Sequence, residues 1–163
     1  YRNTRSLLAY IGLGSNLKDP KEQIKRALSA LNDNNEIELM TSSSLYESKP
    51  LLDIPGPNYI NAVCKIETKL SALDLLDLCQ EIEESQQRVR EVKWGSRTID
   101  LDILLYGGQI ILNKRLSIPH PEAINRAFVL VPLFEIEPEI KVPLLGPIKL
   151  LLDRINKLDV KKL

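Results

Sequence analysis

Between Leu7 and Tyr106 the apolar residues switch repeatedly between two spacings, the two-residue alternation of a strand and the three-and-four spacing of a helix. Leu7 to Leu13 is a nearly continuous apolar run ended by Gly14-Ser15-Asn16, and reads as a first strand. Asp19-Pro20-Lys21-Glu22 supplies a capping Asp, a first-turn Pro and a Glu three places after the cap. Ile24, Ala27, Leu28 and Leu31 then share one face, so the spacing predicts a helix from Pro20 to about Leu31. Glu36 to Tyr46 is polar but tolerates a strand, and Tyr59 to Thr68 alternates as a third strand should. Between them Glu47 to Asn58 reads as a long loop, because Pro55, Gly56 and Pro57 forbid regular structure. Ser71 opens a second helix with Asp74 in the box position and a stripe of Leu75, Leu78, Cys79, Ile82 and Val89. Thr98 to Tyr106 is a fourth strand, and Gly107-Gly108 signals a tight hairpin into Gln109 to Leu112.

The order strand, helix, strand, strand, helix, strand is the split βαβ arrangement. It predicts an α+β, ferredoxin-like βαββαβ core with an antiparallel sheet. A Pro-bracketed loop follows at Ile118 to Glu122, then a short helical region near Asn125 to Glu135 and a last helix after Gly146-Pro147. These are additional C-terminal helices. At 163 residues the chain reads as one domain, 1–163, long enough to bury a real core. The missing initial Met suggests a trimmed start or a domain excised from a longer polypeptide.

The charge balance excludes some partners. Lys plus Arg number 22 and Asp plus Glu number 22, so no overall field draws in nucleic acid or an acidic membrane. No apolar run approaches the length of a membrane span. Cys64 and Cys79 have no metal-like spacing and read as small buried hydrophobes, with a reducing cytoplasm as the expected home. Nothing requires an oligomer, so a monomer is expected.

The chemistry concentrates in the fourth strand. Asp100 and Asp102 point to one side of it while Ile99, Leu101 and Ile103 point to the other. Two neighbouring same-face carboxylates repel unless a cation or a proton lies between them. Arg88, Arg90, Lys93 and Arg97 lie just upstream. Hard oxygen ligands with open positions suit Mg²⁺, and cations beside such a site suit a polyphosphate. The competing reading of the pair is a solvated strand face, and of Arg88 a basic helix end. If Arg88 and Arg90 serve one phosphate chain, the helix must loosen near Gln87 and the stretch to Ser96 must be a loop. His120, the lone histidine, sits between two prolines six residues before Arg126, which suits a phosphate contact better than a general base. Tyr59 and Phe128 could sandwich a flat heterocycle whose edge Asn61 reads, with a place in the core as the rival role. No P-loop motif is present, and Gly12-Leu13-Gly14-Ser15 fails the dinucleotide fingerprint.

Lys93-Trp-Gly-Ser-Arg-Thr-Ile-Asp-Leu-Asp-Ile-Leu104 closely resembles the signature of the 6-hydroxymethyl-7,8-dihydropterin pyrophosphokinases of folate biosynthesis. The resemblance extends to Gly14-Ser15-Asn16-Leu17, Tyr59-Ile60-Asn61-Ala62, Arg88-Val89-Arg90, Ile118-Pro119-His120, Asn125-Arg126-Ala127-Phe128 and Pro132-Leu133-Phe134-Glu135. It implies a ferredoxin-like fold and transfer of pyrophosphate from ATP to the pterin's hydroxymethyl group, releasing AMP. It implies that Asp100 and Asp102 hold two Mg²⁺ ions and that Arg88 and Arg97 steady the phosphates, with Arg90 close by. His120, Arg126, Gln80 and Glu83 would lie on the ATP. Tyr59 and Phe128 would stack on the pterin, Asn61 would read its edge, and the backbone from Ser48 through Pro50 to Leu51 would complete the pocket. Tyr46 and Trp94 would belong to the loops closing over it. Lys49, Leu52 and Gly56 depart from the pattern, as does Tyr59, which stands where Phe is usual.

Two rivals are tested against the same residues. A nucleotidyltransferase also uses an Asp-X-Asp strand, but its Gly-Ser lies close upstream, whereas Gly14-Ser15 is far away. A ferredoxin-like RNA-binding module needs a basic surface and exposed sheet aromatics, and the RNP pattern is missing.

Overall fold

The computed structural model describes residues 5–50, 56–86 and 98–163. Its elements run β1 (Leu7–Ser15), α1 (Pro20–Asn32), β2 (Ile37–Ser42), β3 (Tyr46–Ser48), β4 (Tyr59–Thr68), α2 (Ala72–Gln86) and β5 (Asp100–Tyr106). After these come β6 (Ile111–Leu112), β7 (Ser117–Ile118), a 3₁₀ turn (Ala123–Asn125), α3 (Ala127–Ile136), β8 (Lys141–Val142), β9 (Gly146–Pro147), α4 (Ile148–Leu152) and β10 (Val160–Lys162). The main sheet has the order β10-β3-β4-β1-β5, with β2 also paired to β4, and every pairing is antiparallel. The protein is therefore α+β, with an antiparallel sheet and several helices.

Each sheet face buries a different set of helices, because strand side chains alternate. On one side Ile11, Leu13, Cys64, Ile66, Leu101 and Ile103 pack with Ile24, Ala27 and Leu31 of α1 and Leu75, Cys79 and Ile82 of α2. On the other side Tyr10, Val63 and Leu105 pack with Val129, Leu130 and Leu133 of α3 and Ile148, Leu151 and Leu152 of α4. A bulge in β5 explains its unbroken apolar end: Ile11 pairs with Ile103 but Tyr10 with Leu105, which leaves Leu104 as the extra residue. Leu104 and Leu105 thus both join the second core, and Tyr106 returns to the first.

Several local expectations change. The second strand divides into β2 and β3, both paired to β4, and Glu47 and Ser48 belong to β3 instead of the loop. Tyr46, expected in a closing loop, is a buried residue of β3. Asp19 sits before α1 in a left-handed conformation, and its side chain makes no capping bond. Ser71 does cap α2, its hydroxyl accepting from the Asp74 N–H at 3.1 Å. Gly107 turns with φ of 56°, yet β6 pairs with β7 and not with β5, so no β5 hairpin forms. The closing strand β10 on β3 was not expected at all. Both cysteines are free and buried, and burial pushes the Cys64 thiol up to about 12.

Two carboxylates clamp the end of α3 to the sheet. Glu137 accepts from Lys65 Nζ at 2.6 Å and from the Tyr10 hydroxyl at 2.7 Å. Glu135 accepts from the Tyr46 hydroxyl at 2.6 Å and from the Ser44 N–H and hydroxyl at 3.0 and 2.7 Å. The Lys65 hydrogen bond, then that of Tyr10, holds Glu137 below the ordinary 4.5. For Glu135 burial pushes upward, but the bonds from Tyr46 and Ser44 outweigh it and the result is again a lowered value. A lowered folded-state pKa means that the unfolded chain binds protons first as the solution is acidified. The stabilisation is complete above the ordinary value of 4.5 and is lost as pH falls through the lowered ones. Melting temperature is expected to drop on acidification from neutral pH to about 3, and to drop less steeply in Glu137→Gln. An equally steep decline in that variant would show that Glu137 contributes nothing to it.

Candidate active site

The sheet face that carries the second core is bare at one end. Gly12 and Gly14 of β1 stand opposite Asp102 and Asp100 of β5 on one side, and opposite Val63 and Asn61 of β4 on the other. A Cβ at Gly14 would lie 3.2 Å from Asn61 Oδ1 and 4.0 Å from the Tyr59 ring, so glycine is what keeps this floor low. The result is a cavity of about 360 Å³. Gly12 and Gly14 of β1 and Asn16 just after it line the cavity, with Tyr59 and Asn61 from β4 and Asp100 and Asp102 from β5. Ser48, Lys49 and Pro50 close one side, while His120, Glu122, Arg126 and Phe128 close another.

Most of the expected site residues therefore meet in one place. Ser48, Pro50, Tyr59, Asn61, Asp100, Asp102, His120, Arg126 and Phe128 all line the cavity. Gln80 and Glu83 are not among its lining residues. Gln80 Oε1 accepts from Arg115 Nη2 at 3.3 Å, and Glu83 Oε2 accepts the Leu101 N–H of edge strand β5 at 2.8 Å. Leu51, Arg88, Arg90, Trp94 and Arg97 lie outside the described residues, as do Val89 and the expected loop before Ser96. Gly12, Gly14, Asn16, Lys49 and Glu122 were not picked out for the cavity. The signal for the glycines was available, since a Gly-X-Gly inside an apolar strand marks a close approach.

The polar groups have defined states. Asn61 is buried, and its Nδ2 donates to Ser48 Oγ at 2.7 Å, which orients the amide. His120 Nδ1 accepts the Ala123 N–H at 3.1 Å. A neutral imidazole with Nδ1 accepting carries its proton on Nε2. That atom lies 3.8 Å from Asp102 Oδ1, too far for a hydrogen bond but near enough to feel the charge. Burial and then the Asp100 charge raise the Tyr59 hydroxyl above its usual value. The phenol stays neutral beside the carboxylates.

The carboxylate pair fits a hard divalent cation. Both acids rise on the same side of β5 into the cavity, and the Asp102 side chain is 51% exposed, so a ligand can reach it. Among the described residues no group of three or more His, Cys, Asp or Glu could hold a metal alone. Two carboxylates with the remaining positions left to water and substrate oxygens is the arrangement Mg²⁺ prefers.

Residues 10–138 match the family described as 7,8-dihydro-6-hydroxymethylpterin-pyrophosphokinase (HPPK). The chain belongs to the HPPK family. It is 56% identical over 137 residues to the 2-amino-4-hydroxy-6-hydroxymethyldihydropteridine pyrophosphokinase of Haemophilus influenzae, covering 84% of this chain and 86% of that one. The Pseudomonas aeruginosa enzyme of the same name is 47% identical, over 82% and 83% of the two chains. A crystal structure of Plasmodium falciparum HPPK-DHPS superposes with a TM-score of 0.77 at 17% identity, covering 99% of this chain and 47% of that one. This chain spans about half the length of that fused protein, and at such identity the likeness speaks for the fold. The activity is that of a pyrophosphokinase of folate biosynthesis, in a family that uses ATP as co-substrate. No helix among the described residues is long and apolar enough to cross a membrane.

Proposed function

We propose that the cavity takes ATP and 6-hydroxymethyl-7,8-dihydropterin together and moves pyrophosphate from the first to the hydroxymethyl oxygen of the second, releasing AMP. One observation carries this reading: the Asp100–Asp102 pair opens into the same cavity as Tyr59, Asn61 and Phe128. The site for charge and the site for a flat ring are contiguous, as in-line transfer between two bound substrates demands.

Asp100 and Asp102 would hold Mg²⁺, two ions as the resemblance implies, and the metal would neutralise the phosphates and acidify the attacking alcohol. The chain's own side chains position the reactants. Tyr59 and Phe128 offer ring faces to the pterin, and Asn61, held by Ser48, offers its amide to the ring's donor–acceptor edge. By the resemblance, the backbone about Pro50 and Leu51, with Trp94, would complete that pocket. His120 presents Nε2–H and cannot act as a base while Nδ1 serves Ala123, so its role is donation to a phosphate oxygen. Arg126 adds charge at the start of α3, and Arg88, Arg90 and Arg97 serve the rest of the phosphate chain. Gln80 and Glu83 belong to the nucleotide's surroundings.

The strand order supports a ferredoxin-like core: with β2 and β3 taken as one interrupted strand, it reads second, third, first, fourth. A single domain over 1–163, a monomeric state and a cytoplasmic location complete the proposal. Mass identification of products after incubation with ATP, Mg²⁺ and the hydroxymethyl pterin tests it. AMP and a pyrophosphorylated pterin are expected. Release of free pyrophosphate would overturn the reading in favour of a nucleotidyltransferase.

A further inference from the structure

Asn16 directly follows β1, one step beyond the glycine floor. Gly12, Gly14 and Asn16 are two residues apart and all three line the cavity. Asn16 is only 4% exposed, and its Nδ2 donates a long 3.2 Å bond to the Pro57 carbonyl. Its Oδ1 is enclosed and has no hydrogen-bond partner among the described residues. Turning the amide over does not resolve this, because Oδ1 would then face the Pro57 carbonyl, acceptor against acceptor. A buried acceptor without a donor destabilises a fold, and nearly all native polar groups avoid that state. Local structure uses only the donor end of this amide, on the Pro57 carbonyl, and leaves the acceptor end stranded.

We infer that Asn16 is a specificity-determining residue whose Oδ1 accepts a hydrogen bond from an N–H of the bound heterocycle. The inference rests on the reading of this cavity as the pterin site. The terminal torsion of Asn is soft, so rotation of the amide alone carries Oδ1 toward the cavity that the residue already lines. Ligand binding then supplies a donor that the described residues do not. Asn16 and Asn61 would read different parts of one ring, since Asn61 is paired across from Gly14 and Asn16 follows two residues later.

A merely structural asparagine and a ligand-reading one respond oppositely to substitution. In Asn16→Leu, loss of the bond to Pro57 is offset by removal of the stranded oxygen, so melting temperature changes little, while affinity for the pterin, measured by calorimetry, falls about tenfold or more, the effect of one lost hydrogen bond of buried type. Affinity for a non-hydrolysable ATP analogue with Mg²⁺ stays within about twofold, since the nucleotide is read elsewhere. Asn16→Ala, which cannot clash, must show the same split. A lower melting temperature with unchanged pterin affinity in Asn16→Ala would assign the residue a structural role and overturn the inference. Wild-type protein that binds no pterin would overturn the reading of the cavity, whereas wild-type binding matched by both variants would overturn the inference alone.

Discussion

Asp100→Ala and Asp102→Ala are each expected to abolish pyrophosphate transfer without harming the fold. Removing a group that only supports a metal ligand already costs about 10- to 100-fold, so loss of a ligand itself should exceed about 100-fold. The aspartates lie at the open end of edge strand β5, outside both hydrophobic cores, and Asp is a poor strand residue. Thermal melting should therefore show a midpoint little changed in both variants. Near-normal turnover in either would contradict the assignment of the pair.

Gly14→Val should separate the two substrates. Valine suits a strand, and β1 lies between β4 and β5, so the backbone can accept it. Its Cβ, however, would meet Asn61 Oδ1 at 3.2 Å, and its two methyl groups would reach further along the floor toward Tyr59. Asn61 cannot retreat easily, because it is buried and bonded to Ser48. The ring slot is filled and the amide that reads it is displaced. Losing both shape and one polar contact is expected to raise the KM for the pterin by roughly 100-fold, at about 1.4 kcal/mol per tenfold for each of two effects. The KM for ATP should change much less. Equal losses for both substrates would mean that the glycine floor does not belong to the ring site.

The long, strongly periodic elements were legible and the short ones were not. Tyr59 to Thr68 and the α2 stripe of Leu75, Cys79 and Ile82 stand where alternation and helical spacing put them. β3 escaped because Glu47 and Ser48 read as polar loop, and β10 because Val160 to Lys162 has no pattern of its own. Both exist through pairing with a neighbour, which is tertiary information. The expected hairpin after Gly107-Gly108 failed because the partner segment found β7 instead.

The site shows the same division. Asp100 and Asp102 stood out because two charges in an apolar strand need a reason, and Tyr59, Asn61, His120, Arg126 and Phe128 were legible chiefly through their resemblance to a known pattern. Gly12 and Gly14 read as a failed nucleotide fingerprint, and Gly14 also as a strand end and part of a family motif; their use as a floor depends on what lies across the strands. Asn16 was visible as part of Gly-Ser-Asn, but an acceptor without a donor exists only once the chain has folded around it.

A crystal structure of the protein with a non-hydrolysable ATP analogue, Mg²⁺ and the hydroxymethyl pterin tests the central claim most directly. Density is expected for cations bound by both Asp100 and Asp102, touching the analogue's phosphates, with the pterin ring between Tyr59 and Phe128. Phosphates seated away from those two carboxylates would contradict it.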